Sequence, residues 1–176
     1  MDSAPRNLTM ALPKIAEPLF TFMATRRGQH IDGRLVKTTG HSLFSFLFSR
    51  NMGRSYKPPM GLVTIGNRSG RLHTIAIAYS RRDDGIVSVV GSAGGADREP
   101  DWLRNLRVNP TAWLFINREE IPVLATILEG EAKQPWWEVI TKRAPIFAEY
   151  QANCARDIPV VVFRPYDAPL ESVFQP

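Results

Sequence analysis

Glycine and polar turns cut residues 58–130 into short apolar runs, and their spacing restricts the fold more than any other feature. The runs are Gly61 to Ile65, Leu72 to Ser80, Ile86 to Val90, Thr111 to Asn117 and Ile121 to Glu129. They are rich in branched and aromatic residues, which suit a pleated, half-buried surface. Between them stand Gly66-Asn67-Arg68-Ser69-Gly70, Arg81-Arg82-Asp83-Asp84-Gly85 and Arg118-Glu119-Glu120. Glycine in such turns supplies the positive φ that other residues resist. Consecutive hairpins predict a mostly antiparallel sheet, and this many strands closes naturally into a barrel. Ile158 to Phe163, with five apolar residues in six, predicts a central strand buried on both faces.

The third run leads into Gly91-Ser92-Ala93-Gly94-Gly95-Ala96, followed by a short helix carrying Trp102, Asn105 and Leu106 that Asn109-Pro110 ends. Three glycines in five residues leave backbone amides uncovered, and a helix start beyond them adds a positive dipole end. Such a loop suits an anion, often a phosphate. A plain glycine-rich connection with no ligand remains equally open at this point.

Residues 131 to 155 are helical in character. Pro135 suits the first turn of one helix and Pro145 the start of a second, which carries Phe147, Tyr150 and Cys154. Residues 9 to 26 predict a helix with Leu12, Ile15, Leu19, Phe22 and Met23 on one face, convincing only in its second half because of Pro13 and Pro18. Gly28 and Gly33 are expected to bracket a loop, and Arg34 to Thr39 to form a short strand or irregular chain. Leu43 to Phe48 is almost wholly large and apolar, with Arg50, Arg54 and Lys57 close by. A membrane-surface segment, a buried helix and a dimer contact all fit that pattern. The chain is thus expected to divide into an N-terminal helical, basic region (1–57) and a β domain (58–176).

Charge is unevenly placed. Residues 1 to 60 hold nine Lys and Arg against three acids, while the whole chain carries a net +5. Anionic small molecules and anionic lipid are therefore candidate partners; no nucleic-acid motif appears. The single Cys excludes an internal disulfide, and the three scattered His give no zinc pattern. No run approaches the length of a membrane span, and the N-terminus lacks the form of a signal peptide. A cytoplasmic protein is expected, with peripheral membrane contact through residues 9–57 as an added expectation. Phosphate-loop, dinucleotide and hydrolase-elbow motifs are missing. An enzyme of this kind borrows the chemistry of a cofactor.

Taken together, these motifs resemble the deazaflavin-dependent nitroreductase family, small actinobacterial oxidoreductases of split β-barrel, FMN-binding-like fold that use coenzyme F(420). The likeness runs from about Gly61 to Pro165. The family's Gly-Arg-Lys-Ser/Thr-Gly turn and downstream Arg correspond to Gly66, Asn67, Arg68, Ser69, Gly70 and His73. Its Pro-Leu-x-Tyr and Asp-Gly correspond to Ala76, Ile77, Ala78, Tyr79 and Asp84-Gly85. Its glycine loop, Pro-x-Trp, Asn-Leu and Asn-Pro correspond to Gly91 to Ala96, Pro100, Trp102, Asn105, Leu106, Asn109 and Pro110. The final Ile-Pro-Val-Val is Ile158 to Val161. Departures are Arg68 for lysine, His73 for arginine, Ala93 for a basic residue, and Ala144 and Phe147 near two substrate-side tyrosines, leaving Tyr150.

The resemblance implies an oxidoreductase of mixed α+β class that moves a hydride from reduced coenzyme F(420) to a quinone, nitroaromatic or enone. It implies cofactor contacts at Arg68, Ser69, Gly70, His73, Tyr79, Ser92, Gly94, Gly95, Ala96 and Asn105. Tyr150 is implied as a proton donor. Trp102 is read as packing. Alternatives on the same fold are a lipid or hydrophobic-ligand carrier and an FMN- or haem-binding protein. A homodimer is expected by analogy of fold.

Overall fold

The computed structural model describes residues 17–51, 53 and 55–166. Seven strands form one sheet: β1 (Met60–Ile65), β2 (Leu72–Ile77), β3 (Ser80–Arg81), β4 (Val87–Val90), β5 (Thr111–Ile116), β6 (Glu119–Leu128) and β7 (Val160–Pro165). Their order is β2-β1-β5-β6-β7-β4-β3, and every neighbouring pair is antiparallel.

The two edges of that order are consecutive in the chain. Only Ala78 and Tyr79 separate the end of β2 from the start of β3. Laid flat, seven strands at about 4.8 Å spacing would put the edges roughly 29 Å apart. Three Cα steps of about 3.8 Å reach only ~11 Å. The sheet must therefore curl until its edges meet, which gives the split β-barrel expected from sequence. The expected single strand from Leu72 to Ser80 is divided at this crossover. Ile75 to Tyr79 run apolar straight through it, so nothing in the residue pattern marks the break.

β7 lies between β6 and β4, and Val160 to Phe163 have no solvent exposure. Side chains alternate across a strand. Val161 and Phe163 accordingly join Met60, Leu62, Leu114 and Val123 inside the barrel, with Trp102, Leu103 and Leu106 of α4 (Asp101–Val108) plugging it. Val160 and Val162 face outward into a second core, under Trp136 and Ile140 of α5 (Gln134–Arg143), beside α6 (Ile146–Ala152). Two covered faces explain the unbroken apolar run.

The N-terminal region folds differently from expectation. Residues 9–16 of the predicted helix lie outside the described residues; α1 spans Glu17–Ala24. The expected loop at Gly28–Gly33 and the strand after it are replaced by one helix, α2 (Arg26–Thr39). Thr25 caps its start by accepting from the Gly28 amide, and Gly40, at φ 77°, ends it. Its two internal glycines serve close approach. A Cβ on Gly28 would lie 2.2 Å from the Phe22 carbonyl oxygen, and one on Gly33 2.6 Å from that of Thr74. The helix thus sits with its backbone against α1 and β2.

The apolar segment after Ser42 forms α3 (Leu43–Asn51). The buried Asp32 holds its start by accepting from the Ser42 hydroxyl (2.5 Å) and the amides of Leu43 (2.8 Å) and Phe44 (3.3 Å). Phe44 stacks on Phe20 at 5.2 Å, while Leu19, Phe22 and Phe46 stay partly exposed. Among the described residues no helix is long and apolar enough to cross a membrane.

Candidate functional site

A cleft of about 920 Å³ opens between the first hairpin, the glycine loop and the start of α4. Its floor is apolar: Ile75, Ile77, Val90, Trp102 and Phe147. Its rim is polar. The 66–70 turn contributes Asn67, Arg68 and Ser69; β2 contributes His73; the loop contributes Ser92, Ala93 and Gly94; α4 and its approach contribute Arg98, Asp101, Arg104 and Asn105. Helices α2 and α3 supply a further wall with Gln29, His30, Asp32 and Phe44. This size and makeup suit a small organic ligand.

The glycine loop has a specific backbone shape. Ser92 is right-handed, at φ −75° and ψ −31°, and Ala93, Gly94 and Gly95 follow with φ of 48°, 69° and 84°. A right-handed residue followed by a left-handed one turns successive N–H groups into one concavity, a nest for anions. The Gly95 amide donates to the Ser92 carbonyl at 2.9 Å. Among the described residues, nothing accepts from the amides of Ser92, Ala93 and Gly94, and the Ser92 hydroxyl likewise makes no bond. Ala93 holds its positive φ without the freedom of glycine, a strain that is found where function needs a fixed backbone.

Three carbonyls of the loop are held from behind by Arg156. Its Nη2 donates to the carbonyls of Gly91 (2.7 Å) and Ser92 (3.0 Å), and its Nε to that of Ala96 (3.0 Å). The Cys154 thiol also donates to Ala96, and the Ala155 amide to Asp97. With its carbonyls turned back onto this clamp, the loop presents its amides forward. Sequence reasoning missed Arg156; it lies some sixty positions beyond the loop, and only the fold brings the two together.

Asn105 is the second organiser. Its Oδ1 accepts from the Asn67 amide at 3.0 Å, and its Nδ2 donates to the Thr64 hydroxyl at 3.0 Å, both near or below the surface. One side chain therefore pins the 66–70 turn to α4 and fixes the width of the cleft. Gly66 permits the same closeness, since a Cβ there would lie 2.7 Å from His73 Nε2.

Of the residues expected at the site, Arg68, Ser69, His73, Ser92, Gly94 and Asn105 line the cleft. Gly70, Tyr79, Gly95, Ala96 and Tyr150 are not among the residues that line it. Tyr79 packs against the barrel core. Tyr150 lies against the back of the loop, 3.2 Å from where a Gly95 Cβ would be, and meets Phe147 edge-on at 6.1 Å. Arg98 and Arg104, unremarked in the sequence, add cationic groups, partly balanced by Asp101 at 3.4 Å from Arg98. Arg104 Nε is buried and has no hydrogen-bond partner among the described residues. Among the described residues no cluster of His, Cys, Asp or Glu has the makeup of a metal site.

The chemistry present is that of a cleft for a flat, apolar body with anionic appendages. Free nest amides, a free hydroxyl and several guanidinium groups fit phosphate or carboxylate oxygens. The apolar floor fits a ring system.

Comparison with known proteins agrees. A family model described as F420H(2)-dependent quinone reductase matches residues 49–165. A Mycobacterium tuberculosis protein named as an F420H(2)-dependent quinone reductase is 26% identical over 117 residues, covering 65% of this chain and 98% of the relative. The solved structure of an F420-H2 dependent reductase is 30% identical with a TM-score of 0.55, covering 61% of this chain and 95% of its own. A structure described as a domain-swapped dimer is 28% identical with a TM-score of 0.55, covering 66% of this chain and 87% of its own. The chain belongs to the F420H(2)-dependent quinone reductase family. It is an oxidoreductase, and its cofactor is the deazaflavin coenzyme F(420).

Proposed function

We propose that this family member transfers a hydride from reduced coenzyme F(420) to an electrophilic acceptor, a quinone first, with nitroaromatics and enones as related acceptors. The observation that carries the reading is the nest at Ser92 to Gly94, facing a cleft whose opposite rim is the Arg68 turn. When bound, the coenzyme supplies the hydride. The chain's own residues bind and orient. Arg68, Ser69 and His73 would take anionic oxygens at one end of the cleft, and the Ser92 hydroxyl with the loop amides would take polar atoms at the other. Ile75, Ile77, Val90 and Phe147 would press on the ring system and keep water from the reacting face. Asn105 and Arg156 act by position: they hold the turn and the loop at the spacing the ligand needs. A homodimer is part of the same reading, supported by the domain-swapped relative and by the partly exposed Leu19, Phe22 and Phe46.

Fluorescence titration of the purified chain with the deazaflavin tests the core of this reading. Micromolar binding is expected, weakened on the order of tenfold or more in Arg68→Ala, as loss of a charge-assisted hydrogen bond implies. No binding, or binding unchanged in Arg68→Ala, would overturn it. Quinone-dependent oxidation of the reduced coenzyme then assigns the acceptor.

A further inference from the structure

The cleft has a wall that the matched family segment does not provide. Residues 49–165 carry the family match, yet α2, which ends at Thr39, contributes Gln29, His30 and Asp32 to the lining. The helix is set there by Gly33, whose lack of a side chain lets its backbone rest on Thr74 and Ile75 of β2. Residues three apart share a helix face. His30, one turn before Gly33, is thereby carried over His73, the neighbour of Thr74. The two imidazoles lie 5.7 Å apart, tilted by 37°. His73 Nε2 is 3.5 Å from the Ser69 hydroxyl, and among the described residues none hydrogen-bonds the ring nitrogens of His30.

We propose that His30 and His73 form a pH-dependent anion pincer, half of it supplied by α2, which grips phosphate or carboxylate oxygens of the cofactor. The inference rests on the deazaflavin reading for the identity of the ligand, though not for the existence of the pincer. Two facing imidazoles repel when both are charged. An anion between them removes that repulsion and favours protonation of both. The other charged groups around the cleft are Arg68, Arg98 and Arg104, which keep their charge across the working pH range, and the carboxylates Asp32 and Asp101. Asp32 is committed to the start of α3. Histidine is the one residue type among these whose charge changes near neutrality.

The sign follows directly. Protonated histidine binds the anion, so affinity is highest in acid and falls as pH rises. Each histidine that must gain a proton to bind adds up to about a tenfold loss of affinity per pH unit on the falling side of the profile. Deazaflavin binding to the wild type should weaken by roughly 30-fold or more between pH 6 and pH 8. His30→Gln should bind on the order of tenfold more weakly at pH 6, and within about twofold of wild type at pH 8. His30→Arg should flatten the profile and bind more tightly than wild type at pH 8.

Proton NMR gives an independent readout, because the chain has three histidines and His41 serves as an internal control. Addition of inorganic phosphate or of triglutamate should raise the titration midpoints of His30 and His73 and leave that of His41 in place. The arm that moves them identifies whether phosphate or carboxylate is the preferred anion. A His30→Gln profile parallel to wild type, or a His30 midpoint unmoved by both anions, overturns the pincer. Histidine shifts with phosphate but no deazaflavin binding would uphold the pincer and refute the cofactor reading.

Discussion

Replacing Arg156 with alanine removes the clamp behind the glycine loop. Three hydrogen bonds go, to the carbonyls of Gly91, Ser92 and Ala96 at 2.7, 3.0 and 3.0 Å. A hydrogen bond from a charged donor contributes about 1.5–3 kcal/mol. The site is half-buried and the freed carbonyls regain water in part, so the total comes to roughly 3 kcal/mol, well under the simple sum. That loss divides between two observables. If the loop stays seated until the protein melts, Tm falls by about 6–12 °C for a chain of this size. If the loop detaches on its own, the apparent affinity for the deazaflavin falls on the order of 100-fold, since 1.4 kcal/mol is a factor of ten. Calorimetry and fluorescence titration of the same preparations measure both. Arg156→Lys, with one cationic nitrogen in place of the fork, should fall between. A Tm within 1 °C of wild type together with binding within about twofold would refute the clamp, because the roughly 3 kcal/mol would then appear nowhere.

Three further outcomes follow from the same geometry. Asn105→Ala strands the buried Thr64 hydroxyl and the Asn67 amide and should cost about 2–4 kcal/mol in urea unfolding, with weaker deazaflavin binding as the 66–70 turn loosens. Gly33→Ala should destabilise by about 1–3 kcal/mol, because its Cβ would meet backbone at 2.6 Å; this reverses the gain that alanine brings at an open helix position. Asp157 gives a pH signature. Burial pushes its carboxyl up, but the Gly130 amide and the Lys133 ammonium beside it, with Arg156 nearby, outweigh burial and hold it below the usual carboxylate range. Its contribution is then present above the ordinary value near 4 and is lost as pH falls through the lowered one. Thermal melts of Asp157→Asn should lie below wild type at pH 6 and converge with it as the carboxyl is protonated in acid.

The fold was legible wherever a residue's local conformation decided it. The glycine turns at Gly66–Gly70 and Arg82–Gly85 mark their hairpins because few residues accept positive φ. Pro135 and Pro145 mark helix starts because proline lacks the amide a helix interior needs. β7 is readable because both of its faces are covered, leaving no polar side to interrupt the run. The glycines of α2 misled for a related reason: a glycine that permits close packing is the same letter as one that ends a helix, and only the partners at Phe22 and Thr74 distinguish them.

The sequence by itself determined the antiparallel β character, the two glycine-bearing segments that frame the cleft, and the family those segments announce. Tertiary structure alone decided how the expected barrel closes, because the two-residue link at Ala78-Tyr79 draws together edges that are far apart in strand order. It decided that Tyr150 stands behind the loop while Arg98 and Arg104 reach the rim. It also decided the clamp at Arg156 and the approach of His30 to His73. In each case the deciding quantity is a distance between residues far apart in the chain, and local propensity carries no record of such distances.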